Sequence, residues 1–212
     1  MANVLAIGAH PDDVETGCMG TLLKHRAAGH KVVVVVGTRG GYGDRPWSVI
    51  EAEMRAAEAI LGSPYVILDN PVGHYEVGWK TVTELDELIT RESITTIYGH
   101  WYGDSHQDHQ AAFRNALAAA RKKRVRSFYC YELPDYSYRS QHVFAARRYV
   151  DITDHLDAKL AAMAAYGTYI GPHHLEAARG RAAHRGLACG HLRFAEAFEV
   201  IFETVLELAR VP

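Results

Sequence analysis

The chain has 212 residues and a mass of 23.5 kDa, which suits one domain at roughly 100–200 residues per domain. Its composition, 48% hydrophobic and 23% charged, is that of a globular protein and excludes a mainly disordered chain. A net charge of −2 provides no overall basic field for a phosphate backbone, so we expect no nucleic-acid partner. The longest purely apolar run, residues 32–36, is far shorter than the roughly 20 residues that cross a bilayer, so we expect no membrane partner.

The N-terminal residues and the cysteines indicate the compartment. No basic segment followed by a long apolar stretch is visible at the start of the sequence, so we expect no secretory signal. Cys18, Cys130 and Cys189 are widely spaced and form no CxxC pair. This pattern predicts free thiols in a reducing compartment, and we therefore expect a cytoplasmic protein. Thirteen histidines are an unusual number and direct attention to metal-binding patterns.

Apolar strand-like runs alternate with helical segments through the first two thirds of the chain. We predict strands at residues 4–8, 31–37, 65–68, 94–98 and 127–131, and helices at residues 15–28, 49–61, 82–90 and 110–124. Ser48 and Glu51 have the spacing of a capping box before the second helix. The alternation predicts an α/β fold, a three-layer sandwich with a mostly parallel central sheet.

The part of the chain after about residue 133 is less regular. A strand is predicted within residues 144–152, and Thr153 is a candidate cap for a helix over residues 154–166. Another helix is predicted at residues 177–184, whereas residues 194–202 fit either a strand or a helix. No linker divides the sequence, so we expect residues 1–212 to form a single domain.

Polar residues that can bind a metal follow two of the predicted strands. His10, Asp12 and Asp13 follow the first strand, and His106 and His109 follow the fourth. Open parallel sheets bind their ligands beyond the carboxyl ends of the strands. We therefore expect these side chains to gather at one edge of the sheet.

The residue types in these two segments suit a metal centre with a catalytic base. Pro11 stiffens the first turn, and the adjacent Asp12 and Asp13 cannot both point at one atom in an extended turn. One of them can bind a metal while the other faces the water on that metal. His106 and His109 are three residues apart at a helix start and can share one face. A histidine, a carboxylate and a second histidine are a ligand set typical of catalytic zinc, and a second carboxylate can be the general base.

Each motif also has a structural interpretation. Asp13 could cap the first helix, and His106 and His109 could be two surface histidines. A non-catalytic Rossmann-like binding module is a further alternative. A nucleotide-binding one is disfavoured, because the first turn lacks GxGxxG and its carboxylates would repel a pyrophosphate. The occurrence of both motifs at strand ends of one predicted sheet favours the metal site.

The same segments carry a resemblance to a known family. The run AHPDDVE at residues 9–15, with Gly17 and residues 20–22, resembles the AHPDD(x)E signature of the PIG-L/LmbE-like deacetylases, and HQDH at residues 106–109 resembles their HxDH motif. Arg185-Gly186 and residues 195–199 resemble the closing segment of bacterial members, so the resemblance spans nearly the whole chain. It implies a Rossmann-like fold and hydrolysis of N-acetyl groups with a divalent metal, usually zinc.

The resemblance also implies roles for individual residues. The implied metal ligands are His10, Asp13 and His109. Asp12 would be the general base, His106 would stabilise the oxyanion, and Asp108 would orient one of the histidines. Asp12 and His106 are both candidates for the acid that delivers a proton to the departing amine. Asp104 stands where some members carry a tyrosine, so the corresponding contact would come from Tyr102 or from another residue.

The expected activity is hydrolysis of an N-acetyl amide on a small polar substrate, an amino sugar or its glycoside, giving a free amine and acetate. An amidase acting on a thiol conjugate or another N-acyl metabolite is the alternative. Arg39 and Asp104 are the candidate substrate contacts. The expected cofactor is one divalent ion per chain, Zn²⁺, with Fe²⁺ as the alternative because two histidines and a carboxylate also suit ferrous iron. A homo-oligomer is expected from the resemblance.

Overall fold

The computed structural model describes residues 2–40, 45–121, 124–133 and 140–204. One sheet runs through these ranges in the order β3-β2-β1-β4-β5-β7-β6. Its strands are β1 (Asn3–Gly8), β2 (Lys31–Arg39), β3 (Tyr65–Pro71), β4 (Thr96–His100), β5 (Ser127–Tyr131), β6 (Arg148–Asp151) and β7 (Ala195–Glu203).

The sheet is mostly parallel, as the alternating pattern predicted. Strands β1 to β5 pair in parallel, so their carboxyl ends meet at one edge. Strand β7 runs antiparallel to both β5 and β6. The ambiguous segment at residues 194–202 is therefore a strand, because β6 pairs with its first half and β5 with its second half.

Six α-helices lie among the described residues: α1 (Asp13–Ala27), α2 (Trp47–Leu61), α3 (Trp79–Arg91), α4 (Gln107–Ala119), α5 (Leu156–Ala164) and α6 (Pro172–Ala188). The predicted capping box at Ser48 is wrong, because α2 begins at Trp47 and Ser48 already lies inside the helix. The Pro46 carbonyl accepts the Val49 and Ile50 N–H groups. Helix α4 ends at Ala119, short of the predicted residue 124; residues 122–123 lie outside the described ranges. Thr153 begins a 3-10 turn, Thr153–His155, rather than capping α5 with its side chain.

The central strands are buried on both faces, and alternate residues belong to different cores. Val4 and Ala6 of β1 pack in a cluster with residues of α1, α2, α5 and α6, whereas Leu5 and Ile7 pack in a second cluster with residues of α3 and α4. Successive side chains of a strand point to opposite faces, so this division follows from the strand geometry. The result is the predicted three-layer sandwich.

A glycine in α1 brings that helix close to the carboxyl edge of the sheet. A Cβ atom at Gly17 would lie 2.3 Å from the Tyr131 ring, so only glycine allows this approach. The Tyr131 hydroxyl donates a hydrogen bond to the Ile7 carbonyl over 2.7 Å, which ties β5 to β1 at the same edge. No described helix has the length and the apolar character that crossing a membrane requires.

Candidate metal centre

The centre is built where β1 and β4 end and where α1 and α4 begin. His10 follows β1, Asp13 is the first residue of α1, and His109 lies in the first turn of α4. Between them, Asp12 has a φ of 93°, a left-handed conformation that costs a non-glycine residue on the order of 1–3 kcal/mol. This turn lets the Asp13 carboxylate fold back to accept the His10 N–H over 2.7 Å.

Three predicted ligands approach one another at distances suited to a shared ion. Nδ1 of His10 lies 3.1 Å from Nε2 of His109. Asp13 Oδ2 lies 3.5 Å from Nδ1 of His10, and the other carboxylate oxygen, Oδ1, lies 3.5 Å from Nε2 of His109. Ligand atoms around a tetrahedral zinc ion, each about 2.0–2.1 Å from the metal, lie about 3.3 Å apart. The three side chains are thus spaced as ligands of such an ion, and each is less than a tenth exposed.

The other ring nitrogen of each histidine faces a buried carboxylate. Asp108 Oδ2 lies 2.9 Å from Nε2 of His10, and Asp104 Oδ2 lies 2.9 Å from Nδ1 of His109. An ionised carboxylate only accepts, so the ring protons lie on these outer nitrogens. In neutral rings, the two inner nitrogens then present lone pairs to each other, which repel unless a cation or a proton lies between them. This donor set fits a divalent metal ion with carboxylate-supported histidines.

The pKa values of the two histidines show that the pair favours one positive charge. Burial lowers the pKa of His10, but hydrogen bonds and charge from Asp108 and Asp13 outweigh it and raise this pKa to about 10. Burial and the neighbouring His100 lower the pKa of His109 to about 4, against the opposing carboxylates Asp13 and Asp104. A cation can take the place of the proton that the carboxylates otherwise hold on His10.

The two adjacent aspartates have different electrostatic environments. Burial favours a raised pKa for Asp13, but the charges of His109 and His100 and the hydrogen bond from His10 outweigh it and hold its pKa well below the usual value. Burial and the charge of Asp13 instead raise the pKa of Asp12 well above its usual value. Asp13 is thus an anionic ligand candidate, whereas Asp12, which lines the adjoining cavity, has the higher proton affinity of a base.

His106 lies beside the ligand cluster at the N-cap of α4. Its Nδ1 accepts the Asp108 backbone N–H over 3.1 Å, so the neutral ring carries its proton on Nε2. Its ring stacks on His109 with centroids 4.5 Å apart. Burial and the charge of His10 lower the pKa of His106, which favours the neutral form of the ring.

His100, the last residue of β4, belongs to the cluster although the sequence analysis gave it no role. Its Nε2 lies 3.1 Å from Asp13 Oδ2, and its ring stacks on His109 at 4.1 Å. Its position at the end of a strand was the available signal in the sequence. The spacing along the chain could not reveal the contact with Asp13, because the two residues are 87 positions apart. The cluster therefore contains two overlapping groups of possible metal ligands, and within each group the ligand atoms lie within 4.8 Å of one another. The groups are His10, His106 and His109, and Asp13, His100 and His109.

The cluster forms one side of a cavity of about 100 Å³. We call this side the strand-end wall; it consists of His10, Asp12, Asp13 and His109. A second part of the lining, which we call the helix wall, consists of Arg45, Ile50, Met163, Tyr166, Ile170 and Arg181 from the segment before α2, from α2, from α5 and the residues after it, and from α6. The helix wall was missed by the sequence analysis because no local pattern marks which helix faces approach the sheet edge.

Both expected substrate contacts lie elsewhere. The Asp104 carboxylate is buried. It contacts Nδ1 of His109 and accepts a hydrogen bond from the backbone N–H of His106, so it lies behind the histidine cluster rather than in the cavity. Arg39 is exposed, with its guanidinium over the Trp47 ring and 4.0 Å from Asp69. Arg39 is absent from the described lining of the cavity, which includes Arg45 instead. Residues 41–44, between these two arginines, lie outside the described ranges.

Comparisons with known proteins agree with this arrangement of motifs. Residues 5–120 match the PIG-L family, described as GlcNAc-PI de-N-acetylase. A curated relative, the uncharacterized deacetylase YaiS of Escherichia coli, is 32% identical over 126 residues, which cover 56% of this chain and 68% of YaiS.

Two solved structures share the whole fold. The conserved protein TT1542 of Thermus thermophilus is 28% identical with a TM-score of 0.79, over 100% of this chain and 98% of that one. GalB of Pseudomonas putida, a 4-carboxy-2-hydroxymuconate hydratase, is 22% identical with a TM-score of 0.82, over 99% and 100% of the two chains. The family match covers the segments that carry His10, Asp12, Asp13, His106 and His109. The chain therefore belongs to the PIG-L family of de-N-acetylases.

Proposed function

We propose that this protein hydrolyses the N-acetyl amide of a small substrate, an amino sugar or its glycoside, with one divalent ion per chain, Zn²⁺. The observation that carries the proposal is the pair of inner histidine nitrogens, 3.1 Å apart and facing Asp13, with Asp12 beside them in the cavity. Family membership and the deacetylase relative support the reaction class. Fe²⁺ is the alternative ion for the same ligands.

The chain's own groups suit the proton transfers of amide hydrolysis. A divalent ion, when bound, supplies Lewis acidity towards the carbonyl and lowers the pKa of water. Asp12 takes a proton from the attacking water as the new C–O bond forms. The raised pKa of Asp12 stabilises its protonated form, so the same proton can pass to the amine nitrogen as the C–N bond breaks. The products are acetate and a free amine.

His106 supplies a hydrogen-bond donor for the developing negative charge. The N-cap hydrogen bond from Asp108 occupies Nδ1 and leaves the proton on Nε2. A neutral imidazole N–H can donate to the amide oxygen without giving up a proton. We therefore assign the proton delivered to the amine to Asp12 and the hydrogen bond to the oxyanion to His106.

The decisive experiment measures both products of the reaction. The purified chain, loaded with Zn²⁺ or Fe²⁺, is incubated with N-acetylated sugars, glycosides, thiol conjugates and N-acyl amino acids. We expect acetate and primary amine in equal amounts, and loss of both when a chelator removes the ion. Equal release matters because GalB, with the same fold, is a hydratase, so fold alone does not specify the reaction.

The alternatives predict different results. Turnover restricted to thiol conjugates would change the substrate class and keep the reaction. A non-catalytic binding module would release neither acetate nor amine from any compound and would bind no stoichiometric ion. That last result would contradict the proposed function.

A further inference from the structure

The helix wall contains two arginines that are far apart in sequence and line the same cavity as the strand-end wall. Building on the proposed function, we propose that Arg45 and Arg181 bind an anionic group, a carboxylate or a phosphate, on the amine side of the N-acyl substrate. The apolar side chains between them would contact the body of the substrate. This assigns to the cavity a substrate class narrower than an amino sugar.

Arg45 is held in place by neighbouring side chains. Its Nη1 donates a hydrogen bond to Thr168 Oγ1 over 2.9 Å and lies 3.7 Å from Glu53 Oε2. Its guanidinium lies over the Tyr169 ring, 5.3 Å from the centroid. Glu53 does not line the cavity, and its carboxylate is engaged by the Thr168 N–H and hydroxyl. An arginine fixed in this way loses little side-chain entropy when it binds a ligand.

Arg181 approaches the same cavity from α6. Its Nη2 donates to the Thr16 carbonyl over 3.3 Å, and Thr16 itself lines the cavity between α1 and α6. The acceptor of this hydrogen bond is a neutral backbone carbonyl. The two arginines therefore bring positive charge to the helix wall from two separate elements.

The chemistry of a guanidinium selects an anion over a sugar hydroxyl. Arginine has five N–H donors and no acceptor, so it matches a carboxylate or phosphate, whose oxygens accept. A sugar hydroxyl both donates and accepts, so a guanidinium matches only its accepting lone pairs and leaves its own charge without an opposite one. In the described lining of the cavity, the carboxylates are Asp12 and Asp13, both at the reacting end.

Charge on the two walls would also orient the substrate. The aspartates of the strand-end wall repel an anion, whereas the arginines of the helix wall attract it. Met163, Tyr166 and Ile170 on the helix wall are nearly inaccessible to solvent and offer an apolar surface for the substrate body. The N-acetyl group would then face Asp12, and the anionic group would lie against Arg45 and Arg181.

Matched substrate pairs test the charge separately from the body. N-acetylphenylalanine is compared with its neutral amide, and N-acetylglucosamine 6-phosphate with N-acetylglucosamine, using the metal-loaded protein. We expect kcat/KM to be at least about tenfold higher for the anionic member of one or both pairs, as for a charged hydrogen bond. The first pair identifies a carboxylate ligand with an apolar body, and the second identifies a phosphate on a sugar.

Arginine variants then locate the preference. Arg45→Gln and Arg181→Gln should each reduce the anionic-to-neutral ratio by about tenfold, and Arg181→Glu should abolish or invert it. Arg179→Gln is the matched control, because Arg179 lies on the same helix and pairs with the exposed Asp157 over 3.0 Å outside the cavity. Thermal melting of each variant identifies any that fail to fold, and Arg181→Lys then serves as a charge-conserving replacement.

The outcomes separate this inference from the proposed function. Equal kcat/KM within both pairs, or ratios unchanged in both glutamine variants, would overturn the anion site while leaving the deacetylase activity in place. If no N-acetyl compound is hydrolysed, the proposed function fails. Calorimetric binding of N-acetylphenylalanine against its amide then still tests the anion site, since equal affinities would overturn it.

Discussion

The two walls of the cavity are built in contrasting ways. In the strand-end wall, His10 and His109 each have a buried carboxylate behind the ring, Asp108 and Asp104, at 2.9 Å. The helix wall is mainly apolar, and its Arg45 is held by Thr168, by the Tyr169 ring and by the Glu53 carboxylate at 3.7 Å. The carboxylates of the strand-end wall fix the positions of the two histidines that would bind the metal. The helix wall would instead contact a substrate through apolar packing and through the guanidinium groups of Arg45 and Arg181.

This contrast suggests a division of labour. The strand-end wall comes from two short motifs at the ends of parallel strands and would determine the reaction. The helix wall comes from helices α2, α5 and α6 and from the segments before α2 and after α5, and it would determine the substrate. Site-bearing strand ends combined with variable surrounding helices are a general feature of open α/β sheets.

The largest expected effect is on the strand-end wall itself. Asp12→Asn should lower kcat by about a thousandfold, because the amide cannot accept the water proton, while the ion remains bound. Metal analysis and steady-state kinetics on the same preparation measure both quantities. Asp13→Ala is the comparison variant and should lose the ion instead. Near-normal turnover by Asp12→Asn would assign the base elsewhere.

A second prediction concerns the link between the two walls. Glu196 on β7 binds Lys159 of α5 over 2.6 Å and accepts the Gly20 and Thr21 N–H groups of α1, all away from solvent. Glu196→Ala leaves Lys159 as an uncompensated buried charge and should lower the free energy of unfolding by about 3–5 kcal/mol. Urea unfolding followed by circular dichroism measures the loss.

The exposed ion pair between α5 and α6 provides the control for that experiment. Asp157 is largely solvent-exposed and pairs with Arg179. Asp157→Ala should therefore cause no measurable loss of stability, since exposed pairs contribute little. Equal losses in Glu196→Ala and Asp157→Ala would contradict the importance of the buried pair.

The supports behind the histidines should have a smaller effect than the ligands. Asp104→Asn and Asp108→Asn remove a charge but keep a side chain of the same size, so we expect about 10–100-fold weaker metal affinity in each. Competition with a chromophoric chelator measures the affinity. Asp69→Asn is the control, because Asp69 is exposed on the end of β3. An unchanged affinity in both test variants would show that the supports do not orient the ligands.

The smallest expected effect lies away from both walls, in the last turn of α1. Burial, with the charges of His30 and Arg148, lowers the pKa of His25 from 6.5 to about 4. The unfolded chain therefore binds more protons than the folded one between these values, and the stabilisation is lost as the pH falls through 6.5 towards 4. Partial exposure reduces the effect, so His25→Gln should remove about 1 kcal/mol of the loss between about pH 7.5 and about pH 5.

Urea unfolding of both proteins at the two pH values measures this difference. A His25→Gln variant with the same pH dependence as the parent would contradict the assignment. The result also indicates how much of the acid sensitivity arises outside the cavity.

Local patterns predicted the central elements well. Residues 127–131 are β5 as predicted, because a short apolar run between turns has few alternatives in a covered sheet. The start of α2 was misjudged because Pro46 supplies a suitable backbone carbonyl before the apolar Trp47, which packs against the core. A capping pattern at Ser48 could not reveal that packing.

For the site, adjacent residues were easier to predict than distant ones. The AHPDD and HQDH segments carry their candidates within a few positions, so the strand ends alone grouped them, and the family resemblance then singled out His10, Asp13 and His109. His100 and Arg181 could not be found this way. Nothing near either residue in the sequence marks the contacts that they make with Asp13 and Thr16.

The sequence by itself determined the parallel sheet, the strand ends that carry the motifs and the family, since each depends on residues close together along the chain. Only the tertiary structure decided that Asp108 faces Nε2 of His10 and that Asp104 faces Nδ1 of His109. It also decided that Arg45 and Arg181 line the same cavity. Those arrangements depend on how helices pack across a sheet, which is set by the summed burial of many side chains rather than by any local pattern.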